Sequence, residues 1–322
     1  MKYTYEEFKN YVRDNIGKHL SEEYEDAKME FQEIKKSGGE VYEALMISIN
    51  NGEKMKVIPA LNLTQAFQQY SQGANIDNIV RDLADVRMNA KLPEENLGKN
   101  LMNYEVMKPK IFPRLVNTAA NAQYLSDKPH IKVADLSLMF AVRVQENEKG
   151  MADAIIDDQL AEMWGVDAAQ LRDVAMENMS TREPYFANIE EEIFGMKGSN
   201  PTGNIFSRLE DIDLKSFEIP FFILTNAQKC KGAVMAMDPK TMSKISEKLG
   251  EVYILPSSVD EVLIVPRDVM EDVNQLAQMV SQVNDEAVQP HDWLSNHVYE
   301  YDSEHQTLVM AGEPQQGEIQ TM

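Results

Sequence analysis

The stretch VYILPSSVDEVLIVPR, residues 252–267, decides the fold. Val252–Leu255 and Val262–Val265 are short apolar runs rich in branched and aromatic side chains, and a proline follows each, Pro256 and Pro266. Runs of this length and composition read as strands. The island between them, Ser257-Ser258-Val259-Asp260-Glu261, consists mostly of side chains that bond neighbouring backbone groups and so favour turns. Two strands joined by a polar turn imply an antiparallel hairpin. The same island, set at a strand end, also presents hydroxyls and carboxylates, so Ser257, Ser258, Asp260 and Glu261 are the candidate binding residues.

Working outward, EVYEALMISINNGEKMKVIPALNL gives a second hairpin, with Val41–Ile49 and Met55–Leu61 as strands and Asn51-Gly52 as the tight turn. The C-terminal HVYEYDSEHQTLVMA reads as a third. HIKVADLSLMFAVRV is the most apolar strand candidate and marks the core; FEIPFFILTN and GAVMAM read as further strands. Between them lie amphipathic helices. Tyr5, Phe8, Val12 and Ile16 share a helical face, as do Ala27, Phe31 and Ile34 in a helix capped by Ser21. Further helices are expected over 64–72 and 75–90, from Asp167, from Asp238-Pro239 with Met242, Ile245 and Leu249 inward, and from Asp268 with Val269, Val273, Leu276, Val280 and Val283. The expectation is an α+β fold of mixed, mainly antiparallel sheets with hairpins, flanked by amphipathic helices. Residues 1–312 form one large unit, or two lobes parting near the loop GMKGSNPTGN at 195–204, and 313–322 read as a disordered tail.

Composition narrows the chemistry. Fifty-three acids against 31 bases give a formal charge of -22, which repels phosphate backbones and anionic membranes, so direct nucleic acid or membrane binding is not expected. A basic protein partner or a small ligand suits this charge better. No run approaches the roughly 18 apolar residues of a membrane helix, and the start has no signal-like apolar core. The lone cysteine, Cys230, has no partner for a disulfide, which fits a reducing cytoplasm. Its neighbours Lys229 and Lys231 would favour the thiolate.

No catalytic motif stands out. There is no Gly-x-Ser-x-Gly elbow, no Gly-x-x-x-x-Gly-Lys-[Ser/Thr] loop and no His-Glu-x-x-His pair, so no cofactor is expected. Three of the five histidines, His291, His297 and His305, crowd one segment with Asp292, Asp302 and Glu304. They are weak metal candidates because turn and hairpin positions send their side chains to different faces. Asp135 heads an apolar run, where a carboxylate needs either solvent at the strand's start or a bonded partner such as Arg143.

VADLSLMFAVRV, FFILTNAQKCKGAVMAM, EKLGEVYILPSSVDEVLIVPRD and HDWLSNHVYEYD, in this order, resemble a domain-of-unknown-function family of anaerobic gut Firmicutes over most of the chain. The resemblance implies a bacterial cytoplasmic protein and carries no reaction, cofactor or catalytic residue. It also implies that histidine often stands where this chain has Asp260, a departure that weakens any catalytic role there. The leading expectation is a cytoplasmic, non-enzymatic accessory or binding protein. Its rivals are a hydrolase or metal-assisted enzyme built from the 257–261 island and the C-terminal histidines, and an acidic mimic of nucleic acid.

Overall fold

A computed structural model describes residues 2–49, 58–90, 97–147, 150–194, 217–256, 258–270 and 272–312. The chain divides into two compact units, Met1–Met107 and Lys108–Met322. The loop at 195–204, the Asn51-Gly52 turn, Ser257 and the tail 313–322 all lie outside the described residues.

In the first unit, Thr4 caps α1 (Tyr5–Ile16): its hydroxyl accepts from the Glu7 amide, and the Glu7 carboxylate accepts from the Thr4 amide. That reciprocal pair fixes where the helix starts. Phe8, Val12 and Ile16 are fully buried, as their spacing requires. The strands β1 (Lys28–Lys35), β2 (Val41–Ser48) and β3 (Ala60–Asn62) form an antiparallel sheet in that order. The expected helix from Ser21 is therefore wrong. Ser21 heads only a 3-10 turn, and all eight residues of β1 pair with β2. Spacings of four and three mimic a helix here, yet Met29 and Phe31 point to the core with the period of two that a strand imposes. Gly38 and Gly39 make the reversal possible, at φ of 81° and 75°. Then follow α2 (Leu63–Ser71), α3 (Ile76–Asn89), α4 (Leu97–Leu101) and α5 (Tyr104–Met107).

The second unit holds two antiparallel sheets. One is built from β4 (Ile111–Asn117), β5 (His130–Val133), β6 (Leu136–Asn147) and β7 (Gly150–Ile155), with β6 pairing the other three. The short α6 (Ala122–Leu125) interrupts it, and α7 (Asp158–Trp164) and α8 (Ala168–Ser180) follow. The long apolar run is thus a hairpin, broken where Ala134 takes φ of 54° and Asp135 forms the turn. The other sheet contains β8 (Pro184–Asn188), which leads into α9 (Ile189–Phe194), then β9 (Phe222–Asn226), and beyond α10 (Pro239–Leu249) the pair β10 (Val252–Leu255) and β11 (Val262–Pro266). After α11 (Val273–Ala287) come β12 (Tyr299–Asp302) and β13 (Thr307–Met310). Spatial order is β13-β12-β10-β11-β9-β8, so the hairpin read from 252–267 sits at the centre. Its Tyr253, Leu255 and Val265 pack against Leu276 and Val280 of α11.

Two expectations fail in this unit. GAVMAM is no strand: residues 233–237 form a 3-10 turn, buried at every position, which packs against β4, β9 and β13. A segment enclosed on all sides has no solvent face, so its sequence carries no period to read. The long helix begins at Val273, because the Asp272 carboxylate accepts from the Asn274 and Gln275 amides and closes the N-terminus there. Val269, before the helix, is accordingly half exposed, and Val283, within it, is half exposed as well and so lies off the buried stripe. The architecture is α+β. No helix among the described residues is long and apolar enough to cross a membrane.

Within the four-stranded sheet, Asp153 has a side chain only 2% exposed and accepts from both Arg114 and Arg143. Removing Asp153 would leave Arg114 without this partner and Arg143 with Glu146 alone, in a poorly solvated place. Asp153→Ala should cost about 3–5 kcal/mol in urea unfolding. Disrupting the exposed Arg172–Asp173 pair with Asp173→Ala should cost under about 1 kcal/mol.

Candidate functional site

The island joins two other loops at one end of the β10–β11 hairpin. The Ser258 hydroxyl accepts from the Asp260 amide at 3.0 Å, which is how a turn uses a serine. Asp260 binds the loop 226–233. Its carboxylate accepts from the Lys231 amide at 2.8 Å, and its backbone carbonyl accepts from the Gly232 amide at 3.0 Å and from the Thr225 hydroxyl. The Ala233 amide donates to the Val259 carbonyl at 3.2 Å. A Cβ on Gly232 would lie 2.1 Å from Thr225 Oγ1, 2.6 Å from the Asn226 amide nitrogen and 2.9 Å from the Asp260 carbonyl. Only glycine allows this approach. On the third side, the Val259 amide donates to the Asp292 carbonyl at 2.7 Å, Ser258 bridges Trp293, and the Ser295 amide donates to the Pro256 carbonyl.

Lys229 and Lys231 both hold positive φ, 50° and 53°, a conformation that costs energy for any residue with a side chain. Charge spans the three loops. The Lys231 ammonium lies 3.4 Å from Asp292 and 3.6 Å from Asp260, while Lys229 bonds Glu192 and sits over the Tyr185 ring. Between them, Cys230 differs from expectation. Burial, reinforced by Asp260, raises its thiol pKa and outweighs the opposing effect of Lys231, so the thiolate is disfavoured.

Glu261 is the unusual member. Among the described residues no hydrogen-bond donor reaches its carboxylate, although it is only partly exposed. Burial raises its pKa, and the charges of Asp260 and Glu192 add to the effect against the weaker pull of Lys229. The carboxylate thus has two acidic neighbours and only the weaker pull of Lys229 against them.

The histidines do not gather. His291 stays by its neighbour Asp292 at 3.3 Å, and His305 bonds Asp302 at 2.7 Å inside the β12–β13 turn. His297 turns to Asp135, 3.0 Å from Nδ1. Asp135 thus does sit at the start of β6, but its partners are Ser295, His297 and Tyr299 and not Arg143, which binds Asp153. Because the Asp135 carboxylate can only accept, Nδ1 is the nitrogen that donates to it. The Ser295 hydroxyl is fully buried beneath this arrangement and donates to Asp135, so it is no exposed nucleophile. Among the described residues no three His, Cys, Asp or Glu side chains are grouped to hold a metal.

The sequence singles out the island, Cys230 and Asp135 separately; it does not show that the loop 226–233 closes on the island or that Asp135 meets Ser295, His297 and Tyr299. A family model described as a family of unknown function, DUF5688, matches residues 5–303. No curated protein and no solved structure matches the chain.

Replacing Gly232 with alanine tests whether the close approach holds the loops together. The added methyl group meets backbone on two sides, so Gly232→Ala should lower stability by about 1–3 kcal/mol in urea unfolding, in line with other overpacked sites.

Proposed function

We propose, on the premise that the chain belongs to the DUF5688 family, that it is a non-enzymatic binding protein whose three-loop end receives a cationic group from a partner. The observation that carries this reading is the Glu261 carboxylate, half-buried and without a donor, beside Asp260 and Glu192. A group that destabilises the free protein is explained if a partner supplies its missing charge, since removing it should then stabilise the fold while weakening the contact. The strained backbone at Lys229 and Lys231 supports the same location, because such conformations concentrate where structure serves binding. The overall charge of -22 favours a basic partner by complementarity and predicts association that weakens with salt. With one cysteine, its pKa raised, the protein fits a bacterial cytoplasm.

The hydrolase alternative finds less support. Ser258 spends its hydroxyl on the turn, Ser295 is buried, and the imidazoles of His297 and His305 are engaged elsewhere. The nucleic acid mimic fares no better at this end, where Lys229 and Lys231 interrupt the carboxylates.

Glu261→Gln is the test. With its folded pKa above the ordinary 4.5, Glu261 favours the protonated form more in the folded chain than in the unfolded one. Its unfavourable contribution is therefore absent below that ordinary value, grows as pH rises from it to the raised one, and is complete above that. Glu261→Gln should melt higher than the native protein at neutral pH, with the gap closing towards pH 4. It should also bind a fluorescent oligolysine peptide about tenfold more weakly at low salt, a loss of about 1.4 kcal/mol. Unchanged peptide affinity would remove the proposal.

A further inference from the structure

At the opposite end of the β10–β11 hairpin the sheet comes apart. β10 pairs with β11 over four residues, but with β12 only at Ile254 and Tyr299. Past that bridge β12 runs on to Asp302, paired on its other side with β13, and a groove separates Glu300 and Tyr301 from Pro239, Ser243 and Glu247 of α10. Arg267 ties the two strands from the side, donating to Glu251 at 2.7 Å and Glu300 at 2.6 Å over the ring of Tyr253. A side-chain clamp thus stands in for missing ladder bonds.

Two polar atoms at this seam are left without partners. On β12, Tyr301 is partly exposed as a residue, yet its hydroxyl is screened from water and nothing among the described residues bonds it. At the head of α10, Asp238 is 3% exposed. Its Oδ2 accepts from the Thr241 amide at 3.0 Å and the Thr241 hydroxyl at 2.6 Å, which caps the helix, while Oδ1 has no donor among the described residues. Burial first, and then the charge of Asp238, push the Tyr301 phenol pKa up to about 12, so the hydroxyl stays protonated and lies within electrostatic reach of that carboxylate. One group is a donor without an acceptor and the other an acceptor without a donor. Each pays for its lost hydration while unpaired, and a single bond between them answers both.

We propose that Tyr301 and Asp238 are the two halves of a latch that closes the β12–β13 hairpin onto the head of α10, with the Tyr301 hydroxyl donating to Asp238 Oδ1. The hairpin is free to make this movement, because one residue pair alone joins it to β10 and its firm anchor, the bond from Tyr299 to Asp135, lies two residues before Tyr301. The target is fixed: the Asp238 amide bonds the Met235 carbonyl and its Oδ2 is held by Thr241. Closure narrows the groove and adds a charge-assisted bond beside the Arg267 clamp. The latch is separate from Glu261 and does not rest on its role.

Hydrogen exchange of the full chain, read by mass spectrometry over residues 299–310, tests this, because exchange reports how readily a piece of structure opens. Tyr301→Phe keeps the ring and should exchange there about tenfold faster than native, as the loss of a bond to a charged acceptor requires. Asp238→Asn keeps a good helix cap and should quicken the same amides by a similar factor. The double variant should stay within about twofold of either single one, since both remove one and the same bond. In native protein the Tyr301 hydroxyl proton should also be visible by NMR and be identified by its absence from Tyr301→Phe, a readout that stands even if Asp238→Asn does not fold. The proposal is overturned if Tyr301→Phe exchanges within about twofold of native, if the two substitutions multiply to about a hundredfold, or if native protein shows no such hydroxyl proton.

Discussion

One carboxylate organises the second unit. Asp135, in the turn between β5 and β6, accepts from Tyr299 on one oxygen and from Ser295 and His297 on the other, all from a segment about 160 residues further along the chain. A carboxyl group drawn partly out of water is costly unless donors replace the lost solvent, and three donors do so here. Tyr299, fully buried, has its phenol pKa driven upward by burial and by Asp135, so it remains a donor throughout the physiological range. With 295–299 fixed in this way, the residues just before it are delivered to the island. Asn117 donates to the Leu294 carbonyl, Ser295 reaches Pro256, and Trp293 and Asp292 meet Ser258 and Val259. The three-loop end therefore depends on a bond made in the other sheet.

That dependence explains what the sequence could and could not reveal. The central hairpin was readable because β-branched runs, prolines and turn formers act over a few residues. Met242, Ile245 and Leu249 likewise announced their helix through spacing, and all three are buried. Where local signals were ambiguous, tertiary pairing decided: β1 exists because β2 lies beside it, and residues 233–237 coil because three strands surround them. Asp135 showed only that it needed something. Nothing near it named Ser295 or Tyr299, since the partners are remote in the chain.

The two places with unusual chemistry share a different physical signature. Glu261 is partly buried with no donor among the described residues, and the Tyr301 hydroxyl and one Asp238 oxygen are buried without a hydrogen-bond partner, against the general rule that folding satisfies such atoms. Sequence reading treats glutamate and tyrosine as surface or core by type and cannot register a missing partner. The island's hydroxyls looked the more chemical, yet the Ser258 hydroxyl serves the turn. The acid beside it is the residue left unanswered.

The weak seam between β10 and β12 bears on how the molecule breathes. β12 and β13 pair along four residues with each other, but the hairpin they form meets the rest of its sheet at one residue pair, supported by the Arg267 clamp and the Asp135 bonds. Structures open in cooperative pieces, and pieces with few ties open first. The final hairpin is such a piece, pivoting on Tyr299: its amide hydrogens should trade with deuterium well before those of β10 and β11, and the trade should quicken when salt loosens the guanidinium clamp.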